Sequence, residues 1–158
     1  MTAADKYYLK ARDYYPFDYE EALEALEYGL SCDDEHAGLL VLKARIYYTD
    51  LKRFDAAKEC FELALYYDAA FIDTYYAYLD FALTTEDYPL MEKLVAKAMK
   101  QKGIDKAAVL YKEALMHEMC GNYESAVKSL VNARMYCTSG KSLTFYEEEA
   151  ERVQEKER

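Results

Sequence analysis

The stretch LVLKARIYYTDLKRFDAAKECFELA, residues 40–64, decides the fold because bulky and small side chains recur in it at helical spacing. Residues three and four apart lie on the same face of a helix, so each half of the stretch predicts an amphipathic helix. The whole stretch therefore predicts one antiparallel pair of helices. The positions that carry the pattern are Leu40, Ala44 and Tyr47 in the first half and Phe54, Ala57, Phe61 and Ala64 in the second.

The same pattern recurs along the chain with a step of about 34 residues. Four columns keep this register in the second helix: an aromatic, a mostly small position, a bulky position and another small position. They are Tyr19, Phe54, Tyr88 and Tyr123; Ala22, Ala57, Met91 and Ala126; Leu26, Phe61, Val95 and Leu130; and Gly29, Ala64, Ala98 and Ala133. A period of this length predicts stacked helix pairs in which each unit buries its apolar face against its neighbours.

The pattern predicts eight paired helices, with boundaries marked by local capping signals. Asp18 followed by Glu21 has the spacing of a capping box, and Asp87 precedes a proline that only the first turn of a helix tolerates. Gly103 and Gly121 follow the ends of predicted helices. The predicted first helices are 3–15, 35–49, 71–84 and 105–119, and the second helices are 18–31, 53–67, 88–101 and 122–136.

A ninth helix is predicted near residues 142–156, with Leu143, Tyr146, Ala150 and Val153 on one face and charged residues elsewhere. A terminal repeat has an apolar face without a neighbour, and an amphipathic helix with a polar back would cover it. We therefore interpret this segment as a capping helix. A detachable tail that binds a partner is the alternative.

Composition favours one well-packed helical domain. The 158 residues are 53% hydrophobic, with 5 Gly and 2 Pro, and they include 18 Tyr but no Trp. The net charge of −10 is uneven: residues 1–90 carry −11, residues 91–141 carry +4 and the remainder −3. An acidic body repels phosphate backbones, so no nucleic-acid partner is expected.

No apolar run approaches the length of a membrane span, and no charged-then-apolar leader opens the sequence. We therefore expect no membrane insertion and a cytoplasmic location. The four cysteines lie far apart, which is typical of reduced thiols.

The first helices carry three further columns. The bulky positions are Tyr7, Leu40, Tyr75 and Leu110; the small ones are Ala11, Ala44 and Ala114, with Leu79 as the exception; the third column holds Tyr14, Tyr47, Ala82 and His117. Together the columns resemble the tetratricopeptide repeat family over nearly the whole chain. The resemblance implies an all-α, right-handed solenoid of about four antiparallel helix pairs plus a C-terminal capping helix. It implies a single domain, 1–158, with repeats near 3–34, 35–70, 71–104 and 105–138.

In proteins of that family the first helices line a concave groove, and the residues not used for packing point into it. Carried over to this chain, the resemblance implies a partner-binding groove that contains an aromatic ladder and several charges. The predicted groove residues are Tyr8, Arg12, Tyr15, Arg45, Tyr48, Asp73, Tyr76, Asp80, Leu83, Tyr111, Leu115, Glu118 and Met119. The alternative is that the tyrosines pack inside the fold or against the last helix.

Arg12 and Arg45 occupy equivalent positions in two near-identical strings, LKAR at 9–12 and at 42–45. Two guanidinium groups that converge could hold a partner's carboxylate in a bidentate fork. The alternative is an internal ion pair with Asp13, Asp80 or another acid. The Lys/Asn pattern with which heat-shock cochaperones of the family bind a C-terminal carboxylate is lacking, so that partner is not predicted.

The sequence contains few residues that could form a catalytic or a metal-binding site. Cys32 and His36, and likewise His117 and Cys120, are the only close His/Cys pairs, and they belong to different predicted repeats. Tetrahedral zinc needs four ligands brought together. No phosphate-binding loop or activated nucleophile is recognisable. We therefore expect no catalytic residues, no metal and no cofactor.

These observations predict a non-enzymatic adaptor or chaperone that binds a peptide or a helix of another protein in its concave groove. Small acidic proteins of this repeat type resemble the chaperones of bacterial secretion translocators. The alternative is a self-associating scaffold subunit, which would join copies through its first unit or its last helix and could form a homodimer.

Overall fold

The computed structural model describes all 158 residues and contains nine α-helices and no β-strand, which confirms the predicted all-α class. No helix in it combines the length with the apolar character that crossing a bilayer would require. The helices are α1 (Ala3–Tyr14), α2 (Tyr19–Cys32), α3 (Ala37–Thr49), α4 (Phe54–Tyr67), α5 (Ile72–Thr84), α6 (Tyr88–Ala98), α7 (Lys106–Met119), α8 (Tyr123–Arg134) and α9 (Gly140–Glu157).

Side-chain caps fix where several helices begin. The Asp18 carboxylate accepts a hydrogen bond from the backbone N–H of Glu21 at 3.1 Å, which is one half of the predicted capping box. The other half does not form, because the Asp18 N–H donates to the Tyr14 carbonyl at 2.9 Å. The three caps Asp87, Asp105 and Asn122 act in the same way at the starts of α6, α7 and α8. Each cap satisfies a backbone donor that the first helical turn would otherwise leave without a partner.

Most helix boundaries differ from those predicted by one to three residues, and two of the differences have a clear local cause. α6 ends at Ala98 rather than near 101, because the backbone N–H groups of Lys100 and Gln101 bond three residues back and tighten the chain into turns. Gly103 then adopts a positive φ of 83°, which glycine tolerates without a Cβ clash. α9 begins at Gly140 because the Ser139 hydroxyl caps the N–H of Ser142.

The chain forms two compact units, residues 1–78 and 79–158, and the division falls within α5. In the first unit α1 packs against α2, α3 packs against α4, and α2 also contacts α3. The small positions Ala11, Ala22 and Ala44 are fully buried where these helices meet. The rings of Phe61 and Tyr78 stack with centroids 4.7 Å apart.

In the second unit α7 packs against α8, α9 lies on α8, and α6 contacts α7. The small residues of α7 and α8 are again buried, as Ala114, Ala126 and Ala133 show. Tyr146 and Val153 of α9 belong to the same apolar cluster. In both units, therefore, the repeated small residues lie at the contacts between helices, where they allow the backbones to approach closely.

The closest of these approaches surrounds Gly29, which stands in a column that otherwise holds alanine. A Cβ atom at Gly29 would lie 2.7 Å from Leu39 Cδ1 and 3.0 Å from Tyr7 Cβ. Real Cβ atoms do not approach other heavy atoms so closely, so neighbouring side chains in a packed core would have to move. Gly140, by contrast, has nothing within 4 Å of the corresponding position.

We predict that Gly29→Ala lowers the free energy of unfolding by about 1 kcal/mol, because overpacking outweighs the gain in helix propensity. Gly140→Ala is the matched control, and it should leave stability unchanged or raise it slightly. Urea unfolding followed by circular dichroism measures both. A stabilised Gly29→Ala variant would contradict this packing.

Candidate functional site

A cavity of about 360 Å³ lies in the first unit, between residues of α1, α3 and α5. Two arginines and two tyrosines dominate its wall, and one carboxylate, a glycine and two aliphatic side chains contribute the rest. The lining residues are Tyr8, Arg12, Tyr15, Gly38, Val41, Leu42, Arg45 and Asp73. Five of the thirteen predicted groove residues are thus brought together here; we call this the arginine cavity. That it binds a partner remains a prediction.

The local sequence explains why the two arginines reach this cavity. Each follows a fully buried alanine, Ala11 or Ala44, so the next side chain turns away from the helix contact. The Arg12 guanidinium lies over the Tyr8 ring, 5.5 Å from its centroid. No carboxylate forms an ion pair with Arg12 or Arg45. The structure therefore shows no internal ion pair of Arg12 or Arg45, which was the alternative raised from the sequence.

Tyr8 links the arginine side of the site to a polar cluster at the start of α3. Gly38 lets its ring lie against this helix, because a Cβ there would be 3.0 Å from the Tyr8 Cε2 and Cζ atoms. On the other side the His36 ring lies 5.4 Å from the Tyr8 ring. Burial raises the pKa of the Tyr8 phenol, although Arg12 opposes the shift. The phenol therefore stays protonated and can donate a hydrogen bond at neutral pH.

His36 is held by hydrogen bonds on both ring nitrogens. Its Nδ1 accepts a bond from the Leu39 backbone N–H at 3.2 Å, and its Nε2 lies 3.1 Å from Asp5 Oδ1. The Thr2 backbone N–H and His36 lower the pKa of the Asp5 carboxyl to about 2. The sequence pattern did not reveal this contact between the starts of α1 and α3.

A second hollow of about 510 Å³ lies beside the arginine cavity and shares Tyr8 and Gly38 with it. Its lining is acidic and includes the carboxylates Asp5, Asp33, Glu35 and Asp68. Positive and negative surfaces therefore stand side by side within the first unit. A bound chain that crosses Tyr8 would meet guanidinium groups on one side and carboxylates on the other.

The remaining predicted groove residues do not line the arginine cavity. In the first unit Tyr48 packs against Phe61 with ring centroids 6.3 Å apart, and Tyr76 is half-buried. In the second unit Asp80 forms an ion pair with Lys112. Leu83 and Leu115 are half-buried there, and Met119 is exposed.

Tyr111 and Glu118, also predicted for the groove, contact α9 instead. The Tyr111 ring lies 5.3 Å from that of Phe145 and 5.9 Å from that of Tyr146. The Glu118 carboxylate accepts a bidentate pair of hydrogen bonds from Arg152, at 2.7 and 2.9 Å, and a third from Lys156. For Tyr111 the alternative raised from the sequence, contact of the tyrosines with the last helix, describes the structure, whereas the contact of Glu118 with α9 was not predicted.

These bonds hold the Glu118 carboxylate in its charged form. Hydrogen bonds from Arg152, and then from Lys156, lower its pKa from 4.5 to about 2 against the opposing effect of burial. The same contacts raise the pKa of the Arg152 guanidinium above its usual range. Glu118 is therefore the main polar anchor for α9.

Sequence reasoning missed two groups of residues. Gly38, Val41 and Leu42 line the arginine cavity, and Val41 stands one place after the bulky position, as Tyr8 does. The basic residues of α9 that bind Glu118 were also missed. Their spacing of four, Arg152 to Lys156, places both on one helix face and was the available signal.

No group of three or more His, Cys, Asp or Glu side chains is arranged to hold a metal ion. A scan against protein-family models finds no match, and a search of curated proteins finds no similar sequence. The functional argument therefore depends on the geometry of the arginine cavity and of the contacts with α9.

We predict that Glu118→Gln destabilises the protein by about 1 to 2 kcal/mol at neutral pH, because charge-assisted hydrogen bonds are lost. Since the Glu118 pKa is lowered in the fold, its contribution is complete above about pH 4.5 and disappears as the pH falls towards 2. The difference from wild type should therefore shrink as the pH is lowered.

Urea midpoints measured between about pH 3 and pH 7 test this dependence. Glu148→Gln is the control, since Glu148 is exposed and lies on the same helix as the two basic partners. A Glu118→Gln penalty that stays constant over the whole range would contradict the assignment.

Proposed function

We propose that the protein is a non-enzymatic interaction module, an adaptor or chaperone that holds a peptide or helical segment of another protein. The observation that carries this proposal is the arginine cavity, in which two guanidinium groups that form no ion pair stand beside two tyrosines and the Asp73 carboxylate. Charges exposed in this way are available to a ligand, and rigid aromatics supply contact area at little entropic cost.

We further propose that the helix pairs stack as a solenoid of the tetratricopeptide type. The pairs α1–α2, α3–α4 and α7–α8 support this, because each begins at the corresponding place in the 34-residue pattern. The burial of the small columns in both units supports it as well. Such repeats usually bind partners through one continuous face.

The arrangement of charges indicates what kind of segment would bind. Planar guanidinium groups suit a carboxylate, which each can contact with two parallel hydrogen bonds. The ligand segment should thus carry an acidic side chain or a terminal carboxylate at Arg12 and Arg45. The acidic hollow beyond Tyr8 would favour a basic residue next to it in the bound chain.

A cytoplasmic setting is part of the proposal. The four cysteines are all unpaired, and two of them, Cys32 and Cys120, are exposed. Exposed thiols of this kind persist in reducing compartments. A small cytoplasmic chaperone that keeps a client segment sequestered, as the chaperones of secretion translocators do, fits these features.

We predict that the double substitution Arg12→Ala/Arg45→Ala lowers affinity for acidic peptides at least tenfold, because charged contacts in a concave site contribute about 1 to 3 kcal/mol each. An array of immobilised peptides with and without acidic residues provides the measurement. Lys10→Ala is the matched control, since it removes an exposed positive charge from the same helix.

Circular dichroism would show that the variant remains folded. Equal binding of the acidic peptides by the wild type and a folded double variant would remove the proposal. If the protein binds no peptide but its mass in solution rises with concentration, the self-associating scaffold would be the better account.

A further inference from the structure

α9 is held on the second unit by a small apolar contact and a set of exposed ion pairs. Only three of its eighteen residues are buried, namely Tyr146, Ala150 and Val153. Its first six residues, 140–145, are exposed, including 42% of Phe145. The remaining contacts include the ring contact of Phe145 with Tyr111 and a set of ion pairs, in which the Arg152 and Lys156 side chains are 41% and 45% exposed. Since the two cations face solvent, salt should weaken these ion pairs.

The surface beneath α9 has the features of a helix-binding site. It offers Leu110 and Ala114 of α7 and Leu130 and Ala133 of α8, all of which belong to the apolar cluster that α9 completes. Tyr111 adds an aromatic edge at one end of the contact. We call this surface the α9 site.

The polar end of the α9 site is the Glu118 carboxylate, whose side chain is only 15% exposed. It is fixed by three hydrogen bonds, all of which come from α9. Removal of α9 would leave a half-enclosed carboxylate without its cations and an apolar strip without a cover. A segment that took the place of α9 would therefore need cations for the carboxylate and an apolar face for the strip.

We propose that the α9 site is an exchangeable helix-binding site, for which α9 is the resident occupant and an amphipathic helix of another protein is the competitor. The resident helix shows the required pattern: an aromatic, a small residue four places on, a β-branched residue three places later, and basic residues at the places of Arg152 and Lys156. This inference concerns residues 79–158 alone. It stands whether or not the arginine cavity binds a peptide.

The connection before α9 argues against a second copy as the competitor. Residues 135–139 span at most about 17 Å, so they keep α9 at a high local concentration beside its own site. An identical helix from another copy would make the same contacts without that advantage. A helix from another protein can compete if its aromatic side chain packs more fully on Tyr111 than Phe145 does. Phe145 contacts the Tyr111 ring but remains 42% exposed.

A labelled peptide with the sequence of residues 140–158 serves as the probe of the site in the full-length protein. Arg152→Glu weakens the resident helix by placing a carboxylate against Glu118, so this variant should bind the probe at least tenfold more tightly than wild type does. A probe with Tyr146→Ala should bind at least tenfold more weakly than the unchanged probe. Glu151→Lys is the control, because this exposed residue of α9 should leave probe binding as in wild type.

Hydrogen exchange of the unaltered protein gives a second readout that needs no substitution. Amides of α9 should exchange at least tenfold faster than those of α7 and α8, and faster still in high salt. Exchange of all three helices at one rate would overturn the proposal, as would equal probe binding by wild type and Arg152→Glu. A dimer of the variant that excludes the probe would assign the site to a second copy and would also overturn it.

Discussion

Close packing at small residues is the constraint on which the rest of the structure depends. Where α1 meets α2, α3 meets α4 and α7 meets α8, small side chains such as Ala22, Ala57 and Ala126 are fully buried. A larger side chain at these places would push the helices apart and open voids around the bulky residues that interdigitate with them. Because the small residues repeat every 34 or 35 positions, the same contact forms again along the chain.

This packing constraint also determines which side chains stay outside the helix contacts. A helix that buries one face at an alanine presents the following residue elsewhere, and in the two LKAR strings that residue is arginine. Arg12 and Arg45 therefore reach one cavity without any dedicated loop. The charged lining of the cavity therefore follows from where the buried alanines stand in α1 and α3, since each alanine places the next side chain outside the helix contact.

The helices were predictable because their determinants are local. Periodicity, caps and glycines act within a few residues, so the helices and the caps at Asp18 and Asp87 could be derived from sequence. Side-chain partners between distant segments were less accessible. The pairing of Glu118 with Arg152 joins residues 34 positions apart, and that of His36 with Asp5 joins residues 31 apart. Such contacts depend on rotamers and on neighbouring charges, which a repeat pattern does not specify.

At the candidate site, too, sequence position predicted some side-chain placements and missed others. Position in the repeat predicted that Tyr8, Arg12 and Arg45 lie on one exposed face, and all three line one cavity. It did not predict that α9 contacts Tyr111 and Glu118, because a repeat pattern does not specify which segment covers a given surface. Whether these two residues are open to a partner depends on how firmly α9 is held against them.

The most direct test of the account follows the arginine side chains of isotope-labelled protein by nuclear magnetic resonance during titration with a short acidic peptide. The account predicts that the Nε–H signals of Arg12 and Arg45 shift together and saturate, while those of Arg53 and Arg134 stay in place. Uniform small shifts of all arginines, or shifts confined to arginines outside the cavity, would contradict it.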